Sequence, residues 1–344
     1  MSRIAVVSFR LGGTDGVSIE AAKWVWALRV LGHEVRTVAG SGVADRLLPG
    51  LAIAAQVAPR ADELDDALDD ADLVIVENLA SLPLNVGARE VLYRVLEGRR
   101  ALFHHHDLPW QREHLAHLAG PRDAPGWRHV TINELSRREL AERGITATTI
   151  YNSFDCSPPP GRRAETRRAL GLDDQRLIAL PTRAIPRKNV AGALRLSREL
   201  GAVLWIMGPP EDGYDDEFEE LLERPAVAVR RLLPDGVTMS DAYAAADLVV
   251  MSSTWEGFGN PVLESVTHRR PLALNPYPVA REIAAFGLRF FGLDDVDAIG
   301  RFLDDPDARL YEANLDVARR HFNLADLPER LRLVTAGSLD VDGD

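Results

Sequence analysis

Cysteine is almost absent from this chain, since Cys156 stands alone in 344 residues. A disulfide framework and a cysteine-ligated metal are thereby excluded, and a reducing, cytoplasmic setting fits. Positive charge is also short, with 40 Lys and Arg against 52 Asp and Glu and a formal net charge of -12. Broad binding to nucleic acid or to anionic membrane needs a basic face, so neither is expected. An anionic small ligand would have to be met by a local cluster of cations. No apolar run approaches the length of a membrane span, and the start Met1 to Ser8 carries neither a signal core nor a cleavage site, so no stable membrane insertion is expected. The apolar stretch Leu47 to Ala58 could rest on a lipid surface, but the acidic run Ala61 to Asp72 directly after it would be repelled there. That run reads better as a solvated helix face. Internal repeats and low-complexity tracts are missing as well.

What is present is alternation. Short apolar runs that read as buried strands alternate with segments of helical spacing from one end to the other, the pattern of parallel sheets covered by helices. Arg3 to Phe9, Glu34 to Ala39, Leu73 to Glu77, Ala101 to His105, His129 to Ile132 and Thr148 to Tyr151 are the expected strands of a first domain. Val17, Ala21, Trp24, Val25, Leu28 and Leu31 recur at helical spacing, with Gly32 at the stop. The stretch Ser157 to Arg163, S-P-P-P-G-R-R, is the best linker. Beyond it a second set of strands is expected at Leu177 to Pro181, Val203 to Met207, Ala226 to Val229, Leu248 to Ser252 and Pro271 to Asn275. The division expected is 1–157 and 158–322, followed by 323–344 with a helix over Leu324 to Ala336 and an acidic, frayed tail at Asp340 to Asp344.

The most informative run is Trp255 to Glu264, W-E-G-F-G-N-P-V-L-E. It leaves the carboxyl end of the strand at Leu248 to Ser252. Asn260 suits a helix N-cap and Pro261 the first helical position. Gly257 and Gly259 let the backbone come close to a ligand, and the free N–H groups of the helix start suit phosphate oxygens. Glu264 lies one turn inside the helix while Glu256 sits in the loop, so two carboxylates flank an anion site and can accept hydrogen bonds from sugar hydroxyls. A plain strand, turn and amphipathic helix with two surface glutamates is the competing reading of the residues alone.

The longer segment Asp241 to Leu274 resembles the signature of the retaining glycosyltransferases of family 4. That resemblance implies the GT-B fold, two doubly wound Rossmann-like domains facing across a cleft, with the last helix crossing back onto the first domain. It places Glu256 at the transferred sugar, Glu264 at the ribose hydroxyls of the nucleotide, and the backbone of Phe258, Gly259 and Asn260 near the donor. In Pro181 to Asn189 it makes Arg183 and Lys188 the clamp on the donor diphosphate, where otherwise three basic residues in a loop would read as a solvated patch. It brings the glycine-rich turn Leu11 to Val17 to the cleft, with Gly13 beside the donor and Thr14 and Asp15 beside the acceptor. His106 with Asp107 matches the family's His-Asp pair, with the histidine near the sugar. Trp110 and Arg112 would then form part of an acceptor wall, joined by Asn133 and Asn152 at later strand ends. Ser153 stands where the family has glycine.

Phe103 to Arg112, F-H-H-H-D-L-P-W-Q-R, allows a second reading. With His114, His117 and His129 nearby, the His104 to Asp107 cluster could be the metal centre of a hydrolase. Alternation along a strand puts His104 and His106 on one side and His105 on the other. The reading carried forward is a hexosyltransferase that moves mannose or glucose from a nucleotide diphosphate sugar, GDP-mannose or UDP-glucose, to a small polar acceptor. No metal site and no further cofactor is required, with Mg possible but not implied, and a monomer or homodimer is expected. Arg10, Lys23 and Arg112 hint at an anionic acceptor. The wording T-D-G-V-S with H-H-H-D-L-P-W-Q-R resembles the branch of the family that makes mannosylglucosylglycerate. Base recognition is expected in Gly208 to Gly213 and Arg230 to Val237. A non-catalytic sugar-nucleotide binding protein is the third reading.

Overall fold

A computed structural model describes residues 1–211, 213–223 and 227–339. The expected strand start at Ala226 and the tail at 340–344 lie outside these residues. The chain divides into two compact units, one comprising Met1–Ser153 with the segment from Leu324 onward, the other Phe154–Asn323. The crossing points are tighter than the proline-rich stretch suggests. Phe154 donates its N–H to the Phe322 carbonyl at 2.7 Å and bridges to Asn323, which places both chain passages in the second unit.

The first unit holds a seven-stranded parallel sheet built from β1 (Arg3–Leu11), β2 (Glu34–Gly42), β3 (Arg46–Leu47), β4 (Leu73–Glu77), β5 (Ala101–His105), β6 (Trp127–Thr131) and β7 (Ala147–Thr149), in the order β3-β2-β1-β4-β5-β6-β7. Continuous apolar runs such as Ile4 to Val7 are buried on both faces, as a sheet covered on two sides requires. On one face Trp24 and Leu28 of the helix Gly16–Val30 pack with Ile4, Val6, Leu102, Leu327 and Leu331. The last two come from the C-terminal helix Leu327–Leu339, so the end of the described chain completes the first core. Leu64, Leu68, Leu92, Leu96 and Phe103 fill the other face. Each such fully buried side chain contributes roughly 1.5–3 kcal/mol.

The second unit holds six parallel strands, β8 (Leu177–Leu180), β9 (Val203–Ile206), β10 (Val229–Arg231), β11 (Leu248–Met251), β12 (Leu272–Leu274) and β13 (Phe291–Gly292), in the order β10-β9-β8-β11-β12-β13. Adjacency of β8 and β11 sends the loops after Leu180 and Met251 off the same sheet edge, side by side. In the first unit the neighbours β1, β4 and β5 do the same for the turns that follow Leu11, Glu77 and His105.

Candidate active site

In the second unit the two expected loops meet. Lys188, at the end of the turn Pro186–Lys188, is 7 % exposed and its ammonium is paired with Glu256 Oε1. Arg187 donates to Glu256 Oε2 at 2.7 Å and to the Trp255 carbonyl at 2.9 Å. Glu256 itself is 6 % exposed. Burial would raise its carboxyl, but the Lys188 and Arg187 charges overcome that and hold it at about 2. Lys188 is pushed the other way, because burial outweighs the attraction of Glu256 and lowers its ammonium below the ordinary range. The two directions describe one asymmetric arrangement: a single carboxylate with two cations gains more than either cation does.

Arg183 takes a different partner. Its guanidinium meets Glu211 at 2.5 Å, and both side chains are about two-fifths exposed. The base-recognition loop expected at Gly208 to Gly213 therefore lies against the Arg183 loop, with the Gly208 N–H donating to the Thr182 carbonyl at 3.1 Å; residue 212 lies outside the described residues. Arg230, in the other expected base loop, turns instead to the Leu170 carbonyl at 2.6 Å.

The helix after the glycine loop runs Asn260–Thr267, and its cap is Gly259 rather than Asn260. Gly259 adopts φ +89°, a left-handed conformation open to glycine, which turns the chain one residue earlier and leaves Asn260 and Pro261 inside the first turn. The Tyr277 hydroxyl sits where a Cβ of residue 259 would fall and donates to the Phe258 carbonyl at 2.9 Å. Phe258 is buried between Phe154, stacked at 5.9 Å, and Phe322, edge-on at 6.3 Å. Glu264 lies one turn inside the helix and accepts from the buried Tyr243 hydroxyl at 2.5 Å. Gly257 is half-buried between Glu256 and Phe258.

In the first unit the glycine turn is real, and Asp15 within it is the N-cap of the helix Gly16–Val30, accepting from the Ser18 N–H at 3.1 Å and the Ser18 hydroxyl at 2.7 Å, with Arg10 at 3.0 Å. Gly13 packs against Asp15 and Ser18, and Thr14 is exposed. Asn133 likewise is a cap: buried, it accepts from the Ser136 N–H at 2.6 Å, so its side-chain oxygen serves the start of the helix Glu134–Ala141. The stacking wall expected of Trp110 is covered, because Arg143 lies 3.7 Å over the ring and the indole N–H donates to Glu139 at 2.8 Å. Arg112 pairs with Asp107 at 2.8 Å, and Asn152 is buried.

The histidine run divides as strand alternation requires. His104 Nδ1 and His106 Nε2 both lie 2.9 Å from Glu77 Oε2, and these three are the one cluster among the described residues with metal-ligating geometry. Asp107, expected in that cluster, is turned away to Arg112, and His114 and His117 are exposed outside it. His105 faces the opposite side, 2.6 Å from the Ser81 hydroxyl and 2.9 Å from His129, which reaches Asp123 at 3.1 Å. Burial lowers His104 and His105, the latter strongly. Glu77, by contrast, is held at about 2 because His104 and His106 overcome the effect of burial. Glu20, buried next to this group, pairs with Lys23 at 2.5 Å.

These groups set the acid limb of stability. The buried imidazoles resist protonation, so stability is expected to decline as pH falls through about 6.5, where the unfolded histidines take up protons. Glu77 and Glu256 have depressed values, so what they contribute is present above about 4.5 and lost between 4.5 and about 2. Thermal melts followed by circular dichroism should show both stages, and Glu77→Gln or Glu256→Gln should flatten the lower one.

Sequence reasoning missed Glu77, Arg187, Tyr243 and Tyr277. Of these, only Arg187 carried a local signal, its place beside Lys188.

Two open parallel sheets, each covered by helices and each turning its loops off the carboxyl edge, make up the GT-B fold. Residues 187–300 match the family Glycosyl transferases group 1, and the chain carries a glycosyltransferase domain of that group there. The chain is 26 % identical to mannosylglucosylglycerate synthase of Thermotoga maritima, covering 96 % of this chain and 98 % of that one. To the protein of the same name from Petrotoga mobilis it is 25 % identical, over 84 % and 86 % of the two chains. The crystal structure of Anabaena Alr3699/HepE in complex with UDP and glucose shares the fold at a TM-score of 0.77 and 15 % identity, covering 98 % of this chain and all of the other. Among the described residues no helix is long and apolar enough to cross a membrane.

Proposed function

We propose that the protein is a retaining hexosyltransferase that moves mannose or glucose from a nucleotide diphosphate sugar to a small polar, anionic acceptor. The observation that carries this reading is the buried Lys188–Glu256–Arg187 cluster beside the Gly257 to Gly259 turn and its helix start. Two cations and the positive end of the helix dipole suit a diphosphate, and a carboxylate among them suits the sugar it bears. In the reaction the acceptor hydroxyl oxygen forms a bond to the anomeric carbon on the face from which the diphosphate oxygen departs. The acceptor's proton passes to that leaving oxygen, so no protein nucleophile is needed. Lys188, with Arg183 once it leaves Glu211, stabilises the charge that builds on the leaving group, and Glu256 orients the sugar. Glu264 holds the ribose, and His106 meets a sugar hydroxyl. These cations take the part a divalent ion would play, so neither metal nor further cofactor enters the scheme. The likeness to the Thermotoga and Petrotoga synthases supports a glycerate-type acceptor; Arg10, Lys23 and Arg112 of the first unit are each paired with a carboxylate in this structure and would meet it only on leaving Asp15, Glu20 and Asp107.

Thermal-shift screening against GDP-, UDP- and ADP-sugars, followed by transfer assays with glycerate derivatives and with neutral sugars, tests this reading. One donor class should raise the melting temperature and react with the anionic acceptor. A protein that no nucleotide sugar stabilises would refute the assignment, and reaction with neutral acceptors alone would refute the anionic one.

A further inference from the structure

We propose that Glu77 is a positioning residue that fixes which nitrogen of His106 carries the proton, so that His106 offers Nδ1 to the substrate as a hydrogen-bond acceptor. The inference rests on the hexosyltransferase reading only for what His106 then meets; the tautomer itself follows from geometry.

Glu77 ends β4 and His104 lies opposite it on β5, in register, with His106 two residues on and on the same side. The carboxylate is fully buried, and a single oxygen, Oε2, lies 2.9 Å from His104 Nδ1 and 2.9 Å from His106 Nε2. An ionised carboxylate can only accept, so both contacting nitrogens must bear hydrogens. A neutral imidazole carries one N–H, which leaves Nδ1 of His106 with its lone pair. His106 retains 5 % exposure while His104 has none, so His106 is the member of the pair that can reach a ligand.

The surroundings hold this pattern rigidly. His104 is stacked on Trp24 at 3.9 Å and 23°, and its remaining nitrogen, Nε2, is buried without a hydrogen-bond partner, so its one strong bond is to Glu77. His104 therefore pins the carboxylate that serves His106. The backbone of His106 is fixed as well, its N–H donating to Asn78 Oδ1 at 3.1 Å, with Asn78 in a left-handed turn at φ 58°. The other charges facing the group are Glu20, buried and paired at 2.5 Å with Lys23, whose ammonium also donates to the Ser153 carbonyl at 2.6 Å. An acceptor nitrogen selects for a substrate hydroxyl that donates; a methoxy group or a carbonyl at that position has no hydrogen to give.

The test is long-range proton–nitrogen NMR of the full chain labelled in its histidines, at neutral pH, with and without Glu77→Gln. In the wild-type protein His106 should be a single Nε2–H tautomer, and in Glu77→Gln it should become a mixture. Transfer by the variant should fall about tenfold or more in kcat, with donor KM changed less than threefold, and Glu77→Asp should restore part of it. A wild-type spectrum showing His106 as Nδ1–H overturns the proposal, as does an unchanged tautomer in the variant. Stoichiometric zinc in the purified protein, with both imidazoles ligated, overturns it too and assigns the three residues to a metal. The wild-type spectrum decides the matter even if Glu77→Gln fails to fold. It also needs no turnover, so a failed donor screen sinks the hexosyltransferase reading without touching the tautomer.

Discussion

Lys188→Ala is expected to reduce sugar transfer by roughly 10²- to 10³-fold, the loss typical of removing one preorganised group that stabilises developing negative charge. The same substitution should lower stability by about 3 kcal/mol, because it strips one partner from a buried ion pair. Arg187 remains on Glu256 Oε2, which keeps the cost toward the lower end of that range. The two effects separate in a double variant. Lys188→Met with Glu256→Gln removes the buried carboxylate charge along with its partner, and Arg187, about one-quarter exposed, can turn to water. Its melting temperature should recover most of the loss while transfer stays low. Wild-type turnover in Lys188→Ala would dismiss the cluster as the donor site, and a double variant as unstable as the single one would show that packing of the lysine stem, not charge, holds the loop.

Gly259→Ala should be nearly as damaging through a different cause. The residue caps the donor-side helix at φ +89°, which no L side chain adopts without strain, and an added Cβ would overlap the Tyr277 hydroxyl. Tyr277 is buried and holds the Phe258 carbonyl, so it cannot swing aside without releasing the loop. A displacement of about 1 Å at the reacting centre is enough for a loss on the order of 10²-fold. Calorimetric titration with the donor identified by the screen should show weakened binding. Adding Tyr277→Phe removes the overlap but not the backbone strain, so partial recovery is expected. Full recovery would mean that the conformation of residue 259 does not matter.

The parallel sheets were legible because their strands are buried on both faces and therefore read as unbroken apolar runs, Leu73 to Glu77 and Leu248 to Met251 among them. Strands without such a run were not. Arg46–Leu47 and Phe291–Gly292 are two-residue edges that exist only because a neighbour pairs with them. In the site the same distinction applies. Lys188 and Glu256 were found by local wording, but their direct pairing depends on the adjacency of β8 and β11, which no local pattern encodes. Glu77 was hidden for that reason: it reads as the polar end of a strand, and its partner His104 lies 27 residues away, on the neighbouring strand. At Asp15 and Asn133 the ambiguity runs in the other direction. Turn and cap chemistry looks like ligand chemistry in a sequence, and in both residues the structure gives the side-chain oxygen to a helix start.

The return of the helix Leu327–Leu339 to the first unit has a consequence for synthesis. Leu327 and Leu331 share a core with Trp24 and Ile4, so that core lacks part of one face until this helix has been made. The second unit, whose sequence is uninterrupted from Phe154 to Asn323, can close earlier although it is made later. The unit whose synthesis begins first therefore lacks part of its core until after the second unit has been made.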